Sequence, residues 1–369
     1  LDIPTSRDLS ALNDARADVC VSIYLPTTPI TQDIGKARIK LANLTKEAVR
    51  QLEEAGTDKR RLVGLQEHLD DLADDDEFWK YQAHSLAVFA TPDSLRTYRL
   101  ANKLVEIVEV SDRFHLKPLI RAITFPHAAH VLAISENAVR LVEVSPDLPA
   151  ATVKVPDLPK DAASAVGKSS INDRSPSGRV HGSEGQKVRL AQYVRKVDAA
   201  LRPILAGSDV RLILAATQPV EAIFRSVSSI LVLPQAITGS HDRTSDSDLA
   251  NAARPILDAY YEEQIIDFRA LFETRKGQHR TTTDISDAAR AATFGNIDRL
   301  LIDIDEVVDG IIDEETGAVT FDEAGDARNY GVEDEIAGRA LRTGAKVLGV
   351  CKDDIPGGKS LAAILRSPL

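Results

Sequence analysis

Apolar residues recur along the first third of the chain at spacings that predict a strand and then two helices. Residues 20–25 (CVSIYL) are apolar except for Ser22, which is typical of a buried strand. From residue 34 to residue 52 apolar positions recur at alternating threes and fours, and Asp58 can cap a second helix. Strands follow at SLAVFA, RTYRL and VEIVEV, so residues 1–125 are predicted to form a mixed α/β domain with a helical hairpin. The apolar helical positions are Ile34, Ala37, Leu41, Leu44, Ala48 and Leu52, then Leu62, Leu65, Leu69 and Leu72.

The pattern changes in the central part of the chain. Two apolar runs flank Glu136-Asn137, as in a β-hairpin, and ATVKV predicts a third strand. Residues 156–186 have no apolar periodicity, which is typical of a functional or disordered segment. We expect a helix after Gln186, a strand at VRLILAAT and a helical segment over 246–275, which gives a central domain over 126–280. The buried face of the first of these helices is predicted to be Leu190, Val194, Val197, Leu201 and Ile204.

A third α/β domain is predicted over residues 281–369. Asp284 can cap a helix of small residues, LLIDID predicts a strand, and GIIDEETGAVTF predicts a hairpin. A helix from about 331 to 343 should end at Gly344, since glycine adopts the left-handed conformation common after helices. KVLGVC predicts a further strand.

Composition restricts the class of protein. The chain has 369 residues, a formal charge of −11, 43% hydrophobic and 27% charged residues, and no Met. At roughly 100–200 residues per domain this suits two or three globular domains. No run of about 18 apolar residues predicts a membrane span, and no secretory signal is visible at the start. Cys20 and Cys351 stand alone without metal-ligand spacing, which favours a reduced, cytoplasmic setting.

Charge is unevenly distributed along the chain. Between Lys168 and Leu201 seven basic residues accompany three acidic ones, whereas between Asp298 and Glu335 acidic residues predominate. We interpret the acidic stretch as a solvated surface. The basic stretch contains the glycine-rich segment SGRVHGSEGQ and suits a nucleic-acid partner in spite of the net acidic charge.

Two kinds of motif, the P-loop and the calcium loop, are only partly matched and lack the context that their chemistry needs. AVGKSS (165–170) has neither the first glycine of a P-loop nor a leading strand, and GGKS (357–360) also lacks that glycine. A calcium loop starting at Asp303 would place Val307 and Val308 where an oxygen ligand and a glycine belong. We therefore expect neither site.

A third motif leaves an alternative open. HGSEG (181–185) differs from the G-x-S-x-G nucleophile elbow at its first position, and the preceding residues do not form a buried strand. A serine hydrolase that uses Ser183 with His241 or His279 remains an alternative.

The residues around Gly185-Gln186 resemble a known family. GR-x-H-G-S-E-G-Q-x-x-R-h-x-x-Y, with h apolar, is similar to the Gly-Gly-Gln loop and following helix of archaeal and eukaryotic class-1 translation termination factors. TFGNIDRLLIDID, DGIIDEETGAV, VEDEIAGRALRTGAKVLGV and IPGGKSLAAILR follow in an order similar to the last domain of those factors and of Pelota. The resemblance covers residues 130–369. It identifies the chain as a member of the bacterial archaeo-eukaryotic-type release factor (baeRF) group.

This resemblance implies an RNase H-like central domain, an L7Ae-like C-terminal domain and a loop that enters the ribosomal peptidyl-transferase centre. The backbone amide of Gln186 would stabilise the leaving ribose oxygen, and its side chain would position water. Gly185 would allow close approach to RNA, while Arg179, Lys187 and Arg189 would neutralise RNA phosphates. No metal or organic cofactor is implied. The implied partners are the ribosome and peptidyl-tRNA, and a partner GTPase is possible.

Departures from the family pattern leave more than one hypothesis about function open. Glu184 stands where the first of the paired glycines belongs, although Gly182 can restore flexibility, and the N-I-K-S codon-reading signature is absent. The leading hypothesis is a ribosome release or rescue factor that hydrolyses peptidyl-tRNA without decoding stop codons. The second is a non-catalytic, Pelota-like ribosome or tRNA binder in which Glu184 has replaced the catalytic function. A surface loop without chemistry is the remaining alternative, and the sequence does not predict an oligomeric state.

Overall fold

The computed structural model divides the chain into compact units. Leu1–Pro126 and Gln264–Leu369 together form the first unit, and His127–Glu263 forms the second. The first and third predicted domains therefore share one unit, and the structure does not test the predicted boundary at residue 280. The residues that the structure describes are 4–28, 34–145, 149–167, 183–205 (with side chains from 185 onward), 210–322 and 328–368.

The N-terminal part of the first unit is an antiparallel sheet with a helical hairpin on one face. Its elements are α1 (Ser6–Asp14), β1 (Cys20–Pro26), α2 (Ile34–Glu54), α3 (Lys59–Asp74), α4 (Asp76–Trp79), β2 (Ser85–Thr91), β3 (Ser94–Leu100), β4 (Ile107–Ser111) and α5 (Lys117–Thr124). The strand order is β3-β2-β1-β4. The leucines of α2 and α3 pack on one side of β1 and β2, and the Asp58 carboxylate accepts a hydrogen bond from the Arg60 amide at 2.8 Å. The predicted hairpin and its cap are confirmed.

The second unit is built around a mixed sheet. Its elements are β5 (Ala129–Ile134), β6 (Val139–Val144), β7 (Ala151–Val153), α6 (Ala162–Ala165), α7 (Ser183–Leu205), β8 (Arg211–Ala216), α8 (Val220–Val227), β9 (Ile237–Thr238) and α9 (Asp246–Lys276), whose last residues belong to the first unit. The strand order is β7-β6-β5-β8-β9. β5, β6 and β7 pair antiparallel, whereas β8 and β9 run parallel to β5. This order and these directions are those of an RNase H-like sheet, as the resemblance implied.

The C-terminal part of the first unit is also mixed α/β. Its elements are β10 (Thr281–Thr282), α10 (Ile285–Thr293), β11 (Ile297–Asp303), β12 (Asp309–Ile312), β13 (Val319–Phe321), β14 (Tyr330–Gly331), α11 (Val332–Arg342), β15 (Lys346–Val350) and β16 (Leu361–Leu365). They form sheets of order β10-β16-β11-β15 and β13-β12-β14. Asp284 caps α10 by accepting a hydrogen bond from the Asp287 amide at 3.0 Å. Gly344, just after α11, has φ +77°, so the predicted cap and helix end are confirmed.

An apolar cluster joins the two parts of the first unit. Side chains on the second face of the N-terminal sheet, such as Tyr24 and Phe89, belong to the same buried cluster as Ala288 of α10 and Ile336 of α11. Both faces of the N-terminal sheet are therefore covered. This explains why β1 and β2 are apolar at most positions rather than at every second one.

The start of α11 places carboxylates inside this interface. Glu333 is fully buried and its Oε2 lies 3.0 Å from Nζ of Lys117, which is also fully buried. Oδ1 of Asp334 accepts hydrogen bonds from the backbone amides of Leu116 at 2.6 Å and Lys117 at 2.7 Å. Glu335 pairs with Arg113 at 2.8 Å. The prediction that residues 298–335 form a solvated surface is wrong for these positions, because their basic and amide partners come from a distant part of the sequence.

The buried ion pair leads to a prediction about stability. Lys117→Met leaves the fully buried Glu333 without its counter-charge, so we expect the free energy of unfolding to fall by about 3–5 kcal/mol. Lys117→Met with Glu333→Leu should recover much of this loss, since two apolar side chains then replace two charges. Urea unfolding measures both, with Lys59→Met on the exposed start of α3 as the control. A loss below about 1 kcal/mol for Lys117→Met would contradict the role of the pair.

A second prediction concerns pH. Burial and repulsion from Asp309 and Asp334 raise the pKa of Glu109, on β4, to about 8, against an ordinary value of 4.5, although Lys117 opposes the shift. A carboxyl group whose pKa is raised on folding destabilises the fold progressively as pH rises from its unfolded to its folded pKa. Glu109→Gln should therefore raise the melting temperature little at pH 5 and increasingly up to pH 8.

Thermal unfolding of wild type and Glu109→Gln at several pH values checks this expectation. Glu67→Gln on the exposed face of α3 is the matched control and should shift the melting temperature equally at every pH. A Glu109→Gln effect that is constant with pH, or that shrinks as pH rises, would refute the assigned environment.

Candidate functional site

The position of the predicted site is set by the buried face of α7. Leu190, Val194, Val197 and Leu201 are all fully buried against the central sheet, while Ile204 is half-buried. The predicted face is confirmed. Because these residues fix the helix in register, they also fix where its first turn lies.

Gly185 and Gln186 lie in that first turn, since α7 begins at Ser183. The prediction of a helix that begins only after Gln186 is wrong. The sequence from Glu184 to Arg189 is rich in strong helix formers (Glu, Gln, Lys and Arg), and one glycine costs a helix only about 1 kcal/mol. Gly185 is buried and Gln186 is half-buried.

The Gln186 side chain contacts the turn between β5 and β6. Its Nε2 donates a hydrogen bond to Oε1 of Glu136 at 3.0 Å. Glu136 is one of the two residues that predicted the hairpin turn. No local pattern signals this pair, because 50 residues separate its members.

The turn that carries Glu136 is itself held by hydrogen bonds. Oγ of Ser135 accepts hydrogen bonds from the amides of Asn137 at 3.0 Å and Ala138 at 3.1 Å. The Glu136 carbonyl accepts one from the Ala162 amide at 2.9 Å. The carboxylate therefore projects from a well-supported turn toward the first turn of α7.

The predicted phosphate-binding residues differ in their surroundings. Lys187 is exposed, whereas Arg189 is half-buried and its Nε donates to the Gly185 carbonyl at 3.1 Å. Arg195 and Arg202 are also exposed, and Arg202 pairs with Asp198 at 2.5 Å. Lys187, Arg195 and Arg202 lie on one side of the helix, since they are eight and seven residues apart. The exposed side of α7 is thus basic beyond the residues first predicted.

Other predicted residues lie wholly or partly outside this description. Arg179 and Gly182 are outside the described residues, and of Ser183 and Glu184 the structure describes only their place in α7. Nδ1 of His241 lies 3.2 Å from Oγ1 of Thr244. Among the described residues, no carboxylate forms an ion pair with His241.

The tyrosine of the sequence motif is a core residue. Tyr193 is fully buried in the cluster of α7 and the central sheet. Burial, reinforced by Asp161 and Asp242, raises its pKa, so the phenol stays neutral. In the described part of the chain its hydroxyl has no hydrogen-bond partner. Tyr193 supports the helix rather than forming part of the exposed site.

Two further observations concern the described residues as a whole. They contain no group of three or more His, Cys, Asp or Glu side chains arranged to hold a metal ion. No helix within the described ranges has the length and apolar character needed to cross a bilayer.

Fold and site together define a class of protein: an RNase H-like domain with a Gly-Gln pair at the start of a long amphipathic helix. Residues 126–263 match the model of bacterial archaeo-eukaryotic release factor family 11, and this range coincides with the second unit. For this unit, the match confirms the resemblance to baeRF-type release factors that the sequence shows.

The solved structures that match this chain include translation factors. The archaeal translation termination factor aRF1 is 14% identical with a TM-score of 0.24, covering 98% of this chain and 96% of its own. Dom34 of S. cerevisiae is 12% identical with a TM-score of 0.43, covering 77% and 80%. Pelota of Archaeoglobus fulgidus is 12% identical with a TM-score of 0.27, covering 77% and 79%. Similarity at this level carries no argument about function. No curated protein sequence matches the chain.

Proposed function

We propose that this protein is a cytoplasmic release or rescue factor that hydrolyses peptidyl-tRNA on the ribosome without decoding stop codons. The observation that carries the proposal is the place of Gly185-Gln186 at the start of α7, inside the segment that matches a release factor family. The N-terminal domain has its own sheet and hairpin and lacks the codon-reading signature. Rescue of stalled ribosomes fits this combination better than stop-codon decoding.

The proposed reaction is hydrolysis of the ester between the nascent peptide and the tRNA ribose. The water oxygen bonds to the ester carbonyl carbon, the bond from that carbon to the ribose oxygen breaks, and a water proton passes to the ribose oxygen. The backbone amide of Gln186 donates a hydrogen bond to the leaving oxygen, and the side chain positions the water. Gly185 has no Cβ, so RNA can approach its backbone closely. The ribosome supplies the remaining electrostatic stabilisation.

The Gln186 amide becomes available when the first turn of α7 opens. Helix ends open at low free-energy cost compared with the helix interior. The buried residues from Leu190 onward hold the rest of α7 in place. Opening can therefore stay confined to residues before Leu190.

Basic residues on the exposed side of α7 are proposed to contact ribosomal RNA. Lys187 and Arg195 are exposed, and Arg189 lies beside the Gly185 carbonyl. Arg179 keeps its predicted role as a further phosphate contact. An L7Ae-like C-terminal domain and a partner GTPase remain predictions from the sequence.

A second candidate function is a non-catalytic ribosome or tRNA binder. One observation favours it: Glu184 stands where the family pattern has glycine. In this case α7 would bring the basic side chains to RNA and no ester would be cleaved.

Gln186→Ala distinguishes the two functions. We expect a loss of roughly 10- to 100-fold in peptidyl-tRNA hydrolysis on stalled ribosomes, because the attacking water is no longer positioned, and misplacing a reacting group by about 1 Å can cost about 100-fold. Ribosome co-sedimentation should be unchanged. Gln192→Ala, an exposed glutamine on the same helix, is the matched control and should keep full activity.

Two outcomes would overturn the proposal. If wild type and Gln186→Ala bind ribosomes but neither hydrolyses the ester, the binding function replaces the catalytic one. If Ser183→Ala alone abolishes hydrolysis of a simple ester, the protein is a serine hydrolase.

The basic side of α7 gives a prediction about salt. Lys187→Gln with Arg195→Gln should weaken ribosome binding and flatten the plot of log affinity against log salt by about 0.7–0.9 for each phosphate that is no longer neutralised. Lys59→Gln with Arg60→Gln, two exposed basic residues on α3, is the control. Co-sedimentation between 50 and 200 mM salt (about the range over which such contacts weaken) measures both. Equal slopes for the two double variants would contradict an RNA-facing α7.

A further inference from the structure

The Glu136 carboxylate decides which end of the Gln186 carboxamide faces it. A carboxylate accepts hydrogen bonds but cannot donate one, whereas a carboxamide has a donating nitrogen and an accepting oxygen. The nitrogen of Gln186 therefore faces Glu136, as the 3.0 Å contact shows. The opposite orientation would set two acceptors against each other. The carboxamide oxygen is consequently directed away from Glu136.

We propose that Glu136 is a positioning residue, which orients the Gln186 carboxamide so that its oxygen is the group offered to the attacking water. The proposal rests on the proposed function and deepens it. Water would donate a hydrogen bond to that oxygen while its own oxygen attacks the ester carbon. One residue then provides an acceptor for the nucleophile through its side chain and a donor for the leaving group through its backbone.

Support on the Glu136 side comes from neighbouring backbone groups. The Glu136 carbonyl accepts from the Ala162 amide at 2.9 Å, and Oγ of Ser135 holds the next two amides of the turn. Asn137 is connected to Asp242 by a further hydrogen bond of 3.4 Å. The carboxylate is thus attached to a turn fixed from more than one direction, as a positioning residue must be.

Support on the Gln186 side comes from α7. Leu190, one helical turn after Gln186, is fully buried, and Arg189 donates to the Gly185 carbonyl. Gln186 itself is half-buried, which restricts the rotation of its side chain. When the first turn opens by a small amount, the contact with Glu136 can persist, because both side chains are long enough to follow a small displacement of the backbone.

Glu136→Gln tests the proposal with little change of shape. The new carboxamide can offer either its nitrogen or its oxygen to Gln186, so the selection of one orientation is removed. In protein labelled with 15N in its glutamine side chains, the Gln186 resonance is assigned by its disappearance in Gln186→Ala. We expect this resonance to move or to split in Glu136→Gln. Glu143→Gln, an exposed residue on β6 of the same hairpin, should leave it unchanged.

Hydrolysis provides the second readout. At saturating protein, Glu136→Gln should slow peptidyl-tRNA hydrolysis by about tenfold, the size expected for one charge-assisted hydrogen bond, with ribosome affinity unchanged. In the Gln186→Ala background, Glu136→Gln should slow hydrolysis no further, since its only proposed effect is through Gln186. Glu143→Gln should not change the rate.

Three results separate the outcomes. An unchanged Gln186 resonance in Glu136→Gln would overturn the assigned orientation. If Glu136→Gln slows hydrolysis by the same factor in the Gln186→Ala background as in the wild type, Glu136 has a structural role and the positioning role is overturned. If the wild-type protein does not hydrolyse peptidyl-tRNA, the proposed function is refuted. The positioning role of Glu136 is then refuted with it, because it requires that reaction.

Discussion

The burial of one side of α7 against the central sheet is the constraint on which the site depends. Leu190, Val194, Val197 and Leu201 are fully buried, and their removal would cost several kcal/mol of packing. They hold the start of the helix beside the β5–β6 turn, where Gln186 meets Glu136. The same orientation leaves Lys187 and Arg195 in solvent. One packing arrangement thus sets both the position of Gly185-Gln186 and the charged side of the helix.

The first unit joins segments that lie more than 200 residues apart in the sequence. Apolar packing covers both faces of the N-terminal sheet, and the carboxylates at the start of α11 meet Lys117 and the backbone amides of α5. Such buried charges contribute less to stability than apolar packing does, but they tolerate few alternative arrangements. They explain how the N-terminal and C-terminal parts of the chain form one unit.

Local patterns in the sequence predicted most elements, because apolar spacing and caps act within a few residues. Asp58, Asp284 and Gly344 are examples whose geometry the structure confirms. Predictions from the sequence were wrong where the structure depends on contacts between distant residues. The acidic start of α11 is buried because Lys117 faces it, and the first turn of α7 is helical from Ser183 onward. The Gly185-Gln186 pair was found from its motif, whereas Glu136 could not be found without the fold.

The central claim is that Gln186 meets the ester of peptidyl-tRNA. A cryo-electron microscopy map of this protein on a ribosome stalled with peptidyl-tRNA tests it most directly. The account predicts the start of α7 in the peptidyl-transferase centre, with the Gln186 backbone amide within hydrogen-bond distance of the ribose oxygen that carries the peptide. A map in which α7 lies away from the tRNA end would contradict it.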